Sequence, residues 1–285
     1  MAIGMAIGFS GCTRSQSPPK TAPPSAAART DATPVFPQHR VVAYYGAAGI
    51  PAMGVLGTAP PDAIAARLLH QAHAYDPFGR RVVPAFELIV VVAHGSDPSG
   101  KYYGLTQEAS ARRYLAAVRR IGGRLILDVQ PGRSTFLPLV RRYERLLREP
   151  DVDLALDPEW EMGPSEIPGQ SIGGTTGAEV ERVGSYLAAL VRRERLPQKL
   201  FVVHQFTPDM IAHRDAVRPH PELATTFHVD GFGARPNKAS KYRQLATRDP
   251  RFHNGLKLFY TQDVAMYAPA EAMRFVPQPD LITYQ

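Results

Sequence analysis

The sequence holds a single cysteine, Cys12, among 285 residues, so no disulfide can form within the chain. It also holds a single tryptophan, Trp160. Several chemistry-bearing motifs are missing. No Gly-x-Gly-x-x-Gly follows an early strand, which argues against a dinucleotide-binding fold. The run Gly173-Gly174-Thr175-Thr176-Gly177 is not followed by Lys-Ser or Lys-Thr, so a phosphate-binding P-loop is not supported. There is no His-Glu-x-x-His and no early His-x-His, the commonest metal signatures of hydrolases. No basic cluster is interleaved with aromatics, as nucleic-acid recognition would ask. No cofactor and no nucleic-acid partner is therefore expected.

What is present suits one large α/β domain: hydrophobic residues make up 44% of the chain. Lys and Arg outnumber Asp and Glu by 33 to 26, a net charge of +7. The basic residues come in scattered pairs, such as Arg112-Arg113 and Arg192-Arg193, on stretches with helical spacing. Such pairs are ordinarily solvated helix faces, and the surplus implies at most a weak preference for an anionic surface.

Residues 1–11 are small and apolar and run through Phe9-Ser10-Gly11 into Cys12. They are too few to span a bilayer. The arrangement resembles a bacterial lipoprotein signal, although the basic leader is missing. The resemblance implies a lipidated Cys12 as mature N-terminus, and a protein held on the extracytoplasmic face of a bacterial membrane. Residues 12–39, rich in Pro, Ser, Thr and Ala, bury too little to offset their ordering entropy and read as a tether. The folded domain is expected over 40–285.

From Arg40 the pattern becomes apolar strand, polar tip, helix, repeated. Strands are expected at 40–45, 86–93, 124–129, around 152–159, at 199–206, within 223–232, at 256–260 and at 280–284. Helices are expected at 61–75, 106–121, 134–147, 178–195 and 236–247, with short turns of helix in 262–273. Eight strands with mostly helical connections argue for a (β/α)8 TIM-type barrel over an open doubly wound sheet. Ligands would then sit at the C-terminal ends of the strands.

The stretch from Val152 to Gly163 stands out there, because an apolar run ends in Asp157, Glu159 and Glu161 around Trp160. On a regular strand Asp157 and Glu159 share a face, about 7 Å apart at Cα. Two acids so placed shift each other's pKa, which suits acid–base work. The other tips offer Tyr44, Tyr45, His94, Asp128, Gln130, His204, Gln205, His228, Asp230, Tyr260, Tyr284 and Gln285. A polar cleft edged with Tyr and Trp suits a carbohydrate.

Asp157-Pro158-Glu159-Trp160-Glu161 resembles the fourth-strand signature of chitinase-type barrels and the Asp-x-Glu strand of barrel-type N-acetylmuramidases. The similarity covers about ten residues. It implies a glycoside hydrolase-like protein acting on peptidoglycan or another extracytoplasmic polysaccharide. Pro158 and Trp160 flank Glu159 and make it the expected acid, with Asp157 tuning it and Asp128 or Asp230 as the second carboxylate. The muramidase alignment implies the same acid, whereas the chitinase alignment would put it at Glu161, which faces away from Asp157 on a regular strand. Tyr45, His94, Gln130, Trp160, His204, Gln205, Tyr260 and Tyr284 would contact the sugar. Where those muramidases have a first-strand Asp, this chain has Tyr44-Tyr45. Two alternatives stand beside this reading: a non-catalytic glycan-binding lipoprotein, and a metal-dependent hydrolase using His94, Asp128, Asp157, His204, His228 and Asp230.

Overall fold

The computed structural model describes residues 1–2 and 34–285; Cys12 and the proposed signal and tether lie outside the described residues, apart from 34–39. Eight parallel strands form a closed ring: β1 (His39–Ala47), β2 (Arg81–Ala93), β3 (Arg124–Val129), β4 (Val152–Leu156), β5 (Lys199–Gln205), β6 (Leu223–Val229), β7 (His253–Leu258) and β8 (Leu281–Tyr284). β1 pairs with β2 on one side and with β8 on the other, which closes the barrel. A short antiparallel strand, 103–105, is added to the end of β2. The fold is a (β/α)8 TIM-type barrel.

The outer layer comprises α1 (Pro61–His73), α2 (Glu108–Arg120), α3 (Phe136–Arg142), α4 (Glu144–Leu147), α5 (Gly177–Glu194), α6 (Arg235–Leu245) and α7 (Pro269–Ala272). The α5 N-terminus is capped by Thr176, whose hydroxyl accepts from the Glu179 amide at 3.1 Å. Two connections depart from the expected pattern. The 134–147 helix breaks at Tyr143 into two pieces, and β5 reaches β6 without an α-helix, through a two-residue strand, Ile211–Ala212, paired with Thr175–Thr176, and a 3-10 turn at 214–216. Among the described residues no helix is long and apolar enough to cross a membrane.

Strand alternation sorts the side chains into two sets. Val42, Phe86, Leu127, Leu156, Val203 and Ile282 point outward into the main core beneath the helices. Val41, Ala85, Ile126, Ala155, Leu200 and Leu281 form a separate apolar plug inside the barrel. Further along the same inward rows come Tyr45, Glu87, Asp128, His204, His228, Lys257 and Thr283, all buried. The barrel interior is thus mainly apolar near the strand beginnings, where the Arg124–Asp153 pair is the exception, and ionic toward the strand ends.

Candidate active site

The strand ends open on a cavity of about 520 Å³. Tyr45, Gln130, Glu159, Asp230 and Lys257 supply polar groups to its wall, and Trp160, Phe206, Phe232 and Phe259 supply aromatic faces. Met53, from the first loop, lines it too.

The polar layer below is a network that can be read proton by proton. His204 bonds Asp230 through Nδ1 at 2.9 Å and Glu87 through Nε2 at 2.8 Å. Ionised carboxylates only accept, so both ring nitrogens carry hydrogen and the ring is an imidazolium. Burial opposes that charge, but Glu87 and Asp157 outweigh it and hold the His204 pKa well above its ordinary value. Burial likewise resists the ionisation of Glu87, yet the charge and hydrogen bond of His204 bring it down to about 2. Thr283 donates to the other Glu87 oxygen at 2.9 Å. Asp230 accepts from Lys257 at 2.9 Å. Against its burial, the Lys257 charge and the His204 hydrogen bond hold Asp230 well below the usual carboxylate range. Glu87, His204, Asp230 and Lys257 therefore form a charge-balanced buried quartet.

A second group surrounds Tyr45. Its hydroxyl lies 2.9 Å from Asp128 Oδ2 and 3.1 Å from Asp157 Oδ2, and accepts from Gln130 Nε2 at 3.1 Å. One hydroxyl has one proton to give. If it donates to one carboxyl, the other must itself be protonated and donate back. Burial raises the pKa of both carboxyls, that of Asp157 less. Asp128, which also faces the Asp157 charge, goes well above the carboxylate range and so holds that proton. Lys257 lies 3.6 Å from the centre of the Tyr45 ring and ties the two groups together.

Above them, β4 ends at Leu156, and 158–160 form a 3-10 turn that begins at Pro158. The ladder ends where the sequence predicts, because Pro158 lacks the amide donor that pairing needs. Asp157 and Glu159 still lie together. Burial first, then Asp157 and Asp230, push the Glu159 carboxyl up to about 8. The loop 163–176 folds back over this turn, with the Gly173 amide donating to the Glu159 carbonyl at 2.7 Å. A Cβ on Gly173 would stand 2.2 Å from the Glu161 carbonyl oxygen, so only glycine allows that approach.

Of the residues singled out from sequence, Tyr45, Gln130, Glu159, Trp160 and Asp230 line the cavity, and Asp157 and His204 lie directly behind it. Five placements need correction. Asp128 is buried and held neutral under Tyr45, so it is no second carboxylate facing a substrate. His94 is exposed, with Nδ1 donating to the Ser96 carbonyl at 2.8 Å, beyond the cavity wall. Gln205 faces outward, bonding Arg214 at 2.8 Å, because it alternates with inward His204. Tyr284 faces outward for the same reason, its hydroxyl 2.5 Å from that of Tyr75. Tyr260 lines a neighbouring groove of about 390 Å³ with Arg67. Glu161 is turned toward Thr175 and Glu179, and burial lifts its carboxyl to about 7. Glu87, Lys257 and Thr283 were missed. A charge inside the runs Phe86–Ala93 and Leu256–Tyr260 was the available signal, because an ion in a buried strand needs a partner.

Asp157, His204 and Asp230 each place a ligand-type atom within 4.8 Å of the others. A divalent ion does not fit this trio well. Lys257 already neutralises Asp230, and His204 has no free lone pair while both its nitrogens donate.

No family model matches the chain, and no curated protein matches it. Among solved structures, one similar chain is tryptophan synthase from M. tuberculosis, in an open form with BRD0059 bound. The identity is 15% and the TM-score 0.39, over 87% of this chain and 82% of that one. The chemistry has to be argued from the site itself.

Proposed function

We propose that the protein is a glycoside hydrolase-like enzyme that cleaves an extracytoplasmic glycan, with Glu159 as general acid. One observation carries this reading: a carboxyl kept protonated to about pH 8 stands at the cavity wall beside the ionised carboxylate of Asp230. Glycosidic cleavage asks for that pairing of a neutral acid with a carboxylate. Glu159 gives its proton to the leaving oxygen as the bond to the anomeric carbon breaks. The carboxylate of Asp230 stabilises the positive charge that develops on the sugar. Water adds at that carbon, and its released proton restores Glu159. Asp157 keeps the acid's pKa high, and the aromatic wall provides faces for sugar C–H surfaces. His204 and Lys257 hold Asp230 ionised and fixed in place. The similarity of Asp157-Pro158-Glu159 to the muramidase Asp-x-Glu strand supports the same reading. So does the lipoprotein-like start at Cys12, which would hold the enzyme at a bacterial cell envelope.

The test is a glycan-release assay on the full chain with peptidoglycan and other envelope polysaccharides. Wild type should release fragments, with or without EDTA, and Glu159→Gln should lose at least 100-fold in turnover. Full activity in that variant would rule out Glu159 as the acid. Loss with EDTA would point to a metal hydrolase, and retention of a polymer without release to a binding protein.

A further inference from the structure

A second concave site lies on the outer flank of the barrel. Between α6 and the segment 267–276 runs a groove of about 450 Å³, edged by Arg243, Arg248, Arg274, Tyr267, Phe275 and Val276, with one acid, Glu271, in its wall. None of the three arginines has a carboxylate within salt-bridge distance among the described residues, and all three are exposed. The acids nearby are engaged. Glu271 is held by Arg235 at 2.7 Å, Asp249 by Arg251 at 2.6 Å, and Asp280 by Arg80 and His253. Val276 is 74% exposed beside them. Guanidinium groups are weakly hydrated and matched to phosphate oxygens, and an apolar side chain among them suits a surface that is charged outside and oily beneath.

The position in the fold adds a second argument. α6 runs back from the cavity end of the barrel, so Arg243 in its last turn and Arg248 beyond it lie toward the strand beginnings. The preceding chain joins the barrel at that same end: Phe36 packs at a tilt against His253 at the start of β7, with ring centroids 4.7 Å apart. Cys12 is joined to Phe36 through residues 13–35, a reach of at most roughly 85 Å. The cavity opens at the opposite end of the strands.

We propose that this arginine groove docks the barrel on an anionic phospholipid surface, leaving the cavity turned away from the membrane. The proposal concerns a site apart from the cavity and does not depend on the glycosidase reading. It also does not require that Cys12 carry lipid. The test uses the full chain with Cys12→Ser, so that no acyl group contributes, in sedimentation with vesicles. Binding is expected to vesicles of phosphatidylcholine with one-third phosphatidylglycerol, to be absent with phosphatidylcholine alone, and to fall steeply with salt. Arg243→Gln with Arg248→Gln should weaken it by about 25-fold, taking about fivefold per arginine. Arg113→Gln with Arg142→Gln, two exposed arginines on α2 and α3, is the charge-matched control and should change nothing. Unchanged thermal unfolding of both double variants would show that the fold is kept. Equal weakening by the two pairs, or no preference for phosphatidylglycerol, would overturn the proposal. So would capture of inorganic polyphosphate without vesicle binding.

Discussion

Burial and two carboxylate neighbours keep the Glu159 proton in place up to about pH 8. Turnover should therefore hold through neutrality and fall as pH rises through 8, read as a descending limb in kcat. The stability effect has the same sign. The folded pKa lies above the unfolded value, so Glu159 supports the fold fully below about 4.5 and loses that support as pH rises through 8. Glu159→Gln should thus be more stable than wild type above pH 8, by on the order of 2 kcal/mol and with a higher Tm, while losing activity. A Tm unchanged by the substitution at pH 9 would contradict the raised pKa. Glu87 makes the opposite case. Glu87→Gln leaves the His204 imidazolium with half its counter-charge, and breaking such a buried pair costs about 3–5 kcal/mol in urea unfolding. Glu159 was legible in the sequence because it stands at a visible strand end next to Pro158. Glu87 was not, since seven apolar neighbours in Phe86–Ala93 mask one acid.

The strands were largely legible because their apolar runs are long and bounded by turns, and β3 matches its expected limits of 124–129. What the runs do not announce is parity. His204-Gln205 and Thr283-Tyr284-Gln285 look alike as polar tips, yet the pleat sends neighbours to opposite faces. One anchored residue per strand would have sorted them. Parity also explains Gly255 on β7. A Cβ there would stand 1.9 Å from His228 Nδ1, on the inward row where the His228 ring lies 4.8 Å from that of His204. Burial, then the neighbouring His204 charge, press His228 down to about 3, so it stays neutral. Gly255→Ala should destabilise by about 3 kcal/mol through overpacking. Adding His228→Ala should recover much of that loss, and a strictly additive double variant in urea unfolding would exclude the clash as its cause.

For the whole molecule, count and alternation were enough to reach the barrel, because eight strands with helical returns have few ways to bury both faces. The stretch between β5 and β6 shows no helical spacing in the sequence, and no α-helix forms there; the connection covers the barrel locally, with Val217 joining the main core. The two ends of the barrel also differ in kind, one ionic and open to the cavity, the other filled mainly by apolar side chains around the Arg124–Asp153 pair.

The strand that closes the ring is also the last in chain order. Until Leu281–Tyr284 is in place, β1 and β7 each keep an unpaired edge, which invites pairing with other chains. Glu87 also lacks Thr283 until then. Nascent chains therefore pass through a stage in which every other strand exists and the ionic network is incomplete. The long sequence separation between β1 and β8 makes this closure a slow step. Refolding followed by activity should lag refolding followed by far-ultraviolet ellipticity, and the lag measures how long the ring stays open.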